Sequence, residues 1–176
     1  MNMLLLMLAL SQAGAPDAKQ VERAKTALMP FKKQLKETLM GAMKTSPMAA
    51  IDVCARQAPD MAKAASKDGV TVGRSAFKLR NEGNAPKPWL EAAMKELAAA
   101  KPGSDASKAV GLPDGRVGYA EAIWVQAPCL VCHGETIAKP VDDELRKRYP
   151  KDAARGFKEG DFRGVFWAEV DAPAKK

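Results

Sequence analysis

The stretch KAVGLPDGRVGYAEAIWVQ, residues 108–126, decides the fold class. Pro113-Asp114-Gly115 is a turn sequence: Pro presets the backbone and Gly accepts a positive φ. It stands between two runs rich in β-branched and apolar residues, Lys108–Leu112 and Arg116–Gln126, and reads as a hairpin. A hairpin makes its sheet antiparallel. Upstream, Val70–Leu79 alternates apolar and polar residues as a strand does, and Asp161–Val170 supplies a late strand.

The segments before and between these strands have helical period. Val21, Ala24, Leu28, Phe31, Leu35, Leu39 and Met43 recur at three- and four-residue spacings, predicting a helix over Asp17–Lys44 that Pro30 should kink or divide. Ser46 can cap a second helix with Pro47 at its first position, carried to about Ala65 by Met48, Ile51, Val53 and Ala55, with a bend at Pro59. Pro86–Ala100 resumes the helical pattern through Trp89, Leu90, Ala93, Met94 and Leu97. Helices followed by antiparallel strands give an α+β fold, not the alternating pattern of a parallel sheet.

The chain has 176 residues, 47% of them apolar and 28% charged, which suits one soluble globular core. Its opening run, Met1–Leu10, is too short to span a bilayer but long enough for the apolar centre of a secretion signal. Small residues follow, and cleavage after Ala13 is preferred to Ala15, which would leave Pro16 at the new terminus. The expectation is a signal over 1–13, one domain over 14–176, and a periplasmic or secreted protein that is not integral to a membrane. The formal net charge is +7, but Lys32, Lys33, Arg146, Lys147 and Arg148 lack the interleaved aromatics of single-strand nucleic-acid binders. A nucleic-acid partner is therefore not expected; a redox or signalling protein is.

The strongest chemical signal is Cys129-Leu130-Val131-Cys132-His133. Two thiols three residues apart can reach the two vinyl groups of one porphyrin, and the adjoining imidazole then lies where it can ligate the iron, as in one covalently bound haem c. A redox dithiol and a zinc site are the competing readings. The dithiol motif usually opens a helix after the first strand of a parallel sheet, which this one does not, and zinc would need Cys54 as a fourth ligand. His133 is the sole histidine, so a second axial histidine from the same chain is excluded. That leaves a methionine (Met40, Met43, Met48, Met61 or Met94), Cys54, or an open position.

Further segments carry a family likeness: Ala50-Ile51-Asp52-Val53-Cys54 leading to Ala58-Pro59, Gly73-Arg74-Ser75 with Leu79-Arg80-Asn81, Asn84-Ala85-Pro86 with Trp89, and Cys129 through Gly134. Together they resemble the PAS-like c-type haem domains first seen in cyanobacteria, over most of the mature chain; Glu82-Gly83 after Asn81 departs from the pattern. The resemblance implies an antiparallel PAS-like sheet flanked by N-terminal helices, and axial ligation by His133 and Cys54. Arg56 or Arg74 could favour an anionic sulfur at Cys54, while Arg80, Asn84 and Trp89 could hold propionates. Three functions compete. A redox or small-ligand sensor, whose distal thiolate yields to a diatomic ligand, is favoured over an electron carrier. A haem enzyme is not expected, because no second histidine can serve as distal acid or base.

Overall fold

The computed structural model describes residues 14–173; the signal segment expected over 1–13 lies outside them. Helix α1 (Ala18–Thr45) begins where the Asp17 carboxylate accepts the N–H groups of Lys19 and Gln20, both at 3.0 Å. Its inward stripe is Ala24, Leu28, Phe31 and Leu35, all buried. The helix runs through Pro30 as one element, so of the kink or division expected there the division does not occur. Pro30 and Thr26 both lie on the exposed side, so the Thr26 carbonyl that the proline ring leaves without a partner can be hydrated.

Ser46 caps the next helix, its Oγ accepting the Ala49 N–H at 3.1 Å, with Pro47 at the first position. That helix, α2 (Pro47–Asp52), passes through a single wide turn, Val53–Gln57, into α3 (Ala58–Ala65). In the wide turn the Ala58 N–H reaches back five residues to the Val53 carbonyl. Pro59 follows with no N–H to give, so the widening absorbs the proline that was expected to bend the helix.

Four strands form one antiparallel sheet in the order β1-β4-β3-β2: β1 (Val70–Ser75), β2 (Ser107–Gly111), β3 (Val117–Trp124) and β4 (Phe162–Val170). The hairpin read from Pro113-Asp114-Gly115 joins β2 to β3. Strand β1 stops at Ser75, short of the expected Leu79. Helix α1 covers one face, packing on Val70, Val72, Tyr119, Ala168 and Val170, with the Phe31 and Phe166 rings edge to face at 5.8 Å. Helix α4 (Pro88–Ala98) covers the other with Leu90, Met94 and Leu97 against Ala120 and Val165. Each such buried side chain contributes about 1.5–3 kcal/mol.

Two further helices hang between β3 and β4, neither foreseen: α5 (Leu130–His133) and α6 (Lys139–Arg148). Where β4 begins, Trp124 pairs with Phe162 and Ile123 with Gly164, leaving Arg163 as the extra residue of a bulge. Gly164 has φ +147°, and a Cβ there would stand 2.2 Å from the Ser75 carbonyl oxygen, so only glycine fits. Among the described residues no helix is long and apolar enough to cross a membrane.

Candidate functional site

The chain leaves β3 at Trp124, makes a short turn over Ala127–Cys129, and enters α5. Cys129 leans on Val125, Ala154 and Phe157, while Cys132 leans on Ile51, Val141 and Leu145. Both thiols are free and half-buried, and Val131 between them is exposed. Burial pushes the Cys132 thiol up, opposed by Arg80 and reinforced by the sulfurs of Cys54 and Cys129.

His133 Nδ1 lies 2.8 Å from the Ala154 carbonyl oxygen. A carbonyl can only accept, so Nδ1 carries the proton and Nε2 keeps its lone pair. The Phe157 ring meets the imidazole edge to face at 6.2 Å, and the Phe157 N–H donates to the His133 carbonyl at 3.0 Å. Burial first, then the charges of Arg80 and Arg163, depress the His133 pKa to about 3. The ring is neutral at neutral pH, the form that ligates metals. Between the ordinary value near 6.5 and about 3 the unfolded chain binds a proton that the folded chain does not. Stability therefore rises with pH through this window and is lost as pH falls across it. In the haem-free chain the denaturant midpoint should be lower at pH 4 than at pH 7, with a shallower dependence in His133→Gln.

Arg80 and Asp152 frame the histidine; their side chains are 9% and 2% exposed. Arg80 grips the carboxylate through Nε and Nη2, at 3.1 and 3.0 Å, and Nη2 also donates to the carbonyls of Cys132 (2.6 Å) and Ala154 (3.2 Å). Arg155 Nε adds a second cation to Asp152 at 2.9 Å. Burial pushes the Asp152 carboxyl up, but the Arg80 bond and charge, the Ala154 N–H and Arg155 outweigh it and hold the group below its usual value. Arg80 was read as a propionate holder; its guanidinium is instead directed at the protein's own carbonyls and carboxylate.

Cys54 sits in the wide turn between α2 and α3, and its sulfur is felt electrostatically at Cys132, Tyr149 and Arg163. Wide turns of this kind often mark functional positions. Arg163 leaves the bulge toward the same space, its guanidinium 5.3 Å from the Phe157 ring centre. Burial, then Arg80 and Arg74, lower its pKa to about 10. Arg74 and Arg80 thus lie near the cysteines and His133, with Arg163, Tyr149 and Asp152 as members that sequence reading missed.

Two expected residues do not join them. Trp89 lies on the α4 face of the sheet, its indole N–H donating to Glu169 at 2.6 Å and its ring filling the space that Gly118 leaves open. Arg56 is exposed and paired with Asp52 at 2.7 Å, one turn back along the helix. Among the described residues no three His, Cys, Asp or Glu side chains lie close enough to share one metal ion, so the four-ligand zinc arrangement does not form. A porphyrin brings four nitrogens of its own and asks the protein for two axial ligands. The free Nε2 of His133 and the thiols of Cys129 and Cys132 fit one side of that demand, and Cys54 is near enough to Cys132 for its charge to act there. A groove of about 680 Å³ runs along α1, lined by Ala27, Pro30, Phe31 and Ala65 among others, and shares no residue with this cluster.

A family model described as Tll0287-like, Tll0287, matches residues 11–170. No curated protein matches the chain. Among solved structures, the chain is similar to that titled "Crystal structure of the cyanobacterial heme-protein Tll0287", with TM-score 0.65 and 25% identity, covering 91% of this chain and 99% of that one.

Proposed function

This chain belongs to the Tll0287-like family, and on that premise we propose that it is a haem-binding protein of the c type, exported to the periplasm or secreted. Cys129 and Cys132 would carry the two thioethers, with His133 Nε2 and the Cys54 sulfur in the axial positions. The observation that carries this reading is the state of His133: Nδ1 is bonded to Ala154 at 2.8 Å, and Nε2 keeps its lone pair beside two free thiols. Bound there, haem iron supplies a one-electron couple.

The two axial sides are built unequally, which favours redox or small-ligand sensing. His133 is held by a network of buried bonds, whereas Cys54 rides on a wide helical turn of the kind frequent at functional sites. With haem bound, a Cys54 that can withdraw from the site would leave room there for a diatomic ligand, and the turn that carries it leads directly into α3. An electron carrier is the second reading. It draws on Val131, an apolar side chain exposed between the two thiols, which suits brief docking of a redox partner. Spectra of the ferric and ferrous protein with and without carbon monoxide separate the two, because a carrier binds no gas in either state.

Attachment is tested first. Denatured protein should keep its pigment through acid acetone, and its mass should exceed that of the polypeptide by one haem. Cys129→Ala or Cys132→Ala should leave a single, weaker attachment. A wild-type mass equal to the bare polypeptide would sink covalent binding.

A further inference from the structure

We infer that Arg80 and Asp152 are positioning residues for His133, a buried clamp that selects the imidazole tautomer and aims Nε2. The purpose of the clamp rests on the haem reading above; the bonds that make it do not.

The bonds form a closed circuit. One end of the Arg80 guanidinium holds the Cys132 carbonyl at 2.6 Å, the peptide that leads directly into His133. It also reaches the Ala154 carbonyl at 3.2 Å, the acceptor of the His133 ring. The same group grips Asp152 with Nε and Nη2, and Asp152 Oδ1 accepts the Ala154 N–H at 2.9 Å. Asp152 and Ala154 thus make an Asx turn that leaves the Ala154 carbonyl one direction to point. The Ala153 N–H donates to Leu79 at 2.8 Å, which seats the turn against the residue that precedes Arg80.

An unconstrained imidazole carries its proton on either nitrogen and can turn about its own bond. Here the ring meets a carbonyl already fixed on both sides, so only the Nδ1–H tautomer closes the bond, and Nε2 is left in one direction. Arginine suits the task because its planar fork spans a carboxylate while a remaining N–H serves two carbonyls; a lysine ammonium is a point donor without that geometry. The acceptor is also shared. With Arg80 donating to the Ala154 oxygen, less electron density remains to draw on the His133 proton, so the clamp sets how strongly the ring donates as well as where it points.

The single histidine makes the test direct. A full chain labelled with ¹⁵N-histidine reports one ring, read in the ferrous protein made diamagnetic by carbon monoxide or, if no haem is attached, in the chain as purified. The wild type should show the Nδ1–H tautomer, slow to exchange with water. Arg80→Gln and Asp152→Asn should exchange about tenfold faster, in line with the typical cost of losing an outer-shell partner, and in the haem-free chain, where no iron holds Nε2, they should also show a tautomer mixture. Arg80→Lys, which keeps the buried charge beside Asp152, guards against a variant that fails to fold; it should fold and still exchange faster. Folded variants with the wild-type ring signal overturn the clamp. A shift in reduction potential with an unchanged ring signal also overturns it, leaving Arg80 as a charge alone. The mass of the purified chain reports separately on haem attachment, so either idea can fail without the other.

Discussion

Replacing Cys54 by alanine should abolish the low-spin thiolate signature of the ferric protein and raise its reduction potential by on the order of 100 mV, a fraction of the roughly 0.8 V over which axial ligands act. A thiolate donates electron density to ferric iron and favours that state; alanine donates none. The fold should survive, because alanine is the best helix former and the thioethers do not depend on this position. Added imidazole should then bind where it did not before. Electron paramagnetic resonance and a potentiometric titration read both effects. An unchanged ferric spectrum would return Cys54 to the role of a packed thiol and turn attention to Met48 and Met61, on the helices either side of it.

Asp152→Ala should cost about 3–5 kcal/mol of stability, the penalty for leaving a buried cation without its partner. Arg80, 9% exposed, loses its only carboxylate here, whereas Arg155, one quarter exposed, keeps Asp142. Urea unfolding of the variant reads the loss. The paired change Arg80→Met with Asp152→Leu should recover part of it, since an apolar pair avoids the desolvation of charge. It should not restore the His133 tautomer, because neither side chain can bond Ala154. A single variant that unfolds at the wild-type midpoint would mean that solvent replaces Asp152 without cost.

The parts that were legible in the amino-acid sequence are those whose cause is local. The periodic stripe of α1, the Ser46-Pro47 start of α2 and the Pro113-Asp114-Gly115 turn each follow from residues within a few positions of one another. Helix α6 escaped because Val141 and Leu145 are its only buried side chains and the rest of its surface is largely charged, leaving little apolar rhythm to read. Pro30 does not divide α1 because the damage a proline does to a helix depends on which side the lost partner faces, and here it faces water. The same division runs through the site. Cys129, Cys132 and His133 announce themselves by spacing, and Cys54 by its likeness to a family pattern. The pairing of Arg80 with Asp152 spans 72 positions, and Arg163 enters through a bulge created by register slippage between two strands. Neither leaves a mark in composition or period. The sequence does not place Trp89, because an indole at the start of α4 can face the site only if the sheet is not in the way, and its depth against Gly118 is set by strand pairing.

Strand β4 occupies an interior place in the sheet, between β1 and β3, although it is the last described strand in chain order. The sheet therefore cannot close as the chain emerges. Until residues 162–170 arrive, β1 has no neighbour, the β2–β3 hairpin stands alone, and neither α1 nor α4 has a complete face to cover. A lone two-stranded hairpin is at best marginal in water. Cys129, Cys132 and His133 are made before β4, so they spend the interval in an open chain, accessible to whatever chemistry acts on them. Closure by β4 brings Arg163 against Phe157 and leaves the thiols half-buried, so the order of synthesis gives modification of the cysteines its widest window ahead of folding.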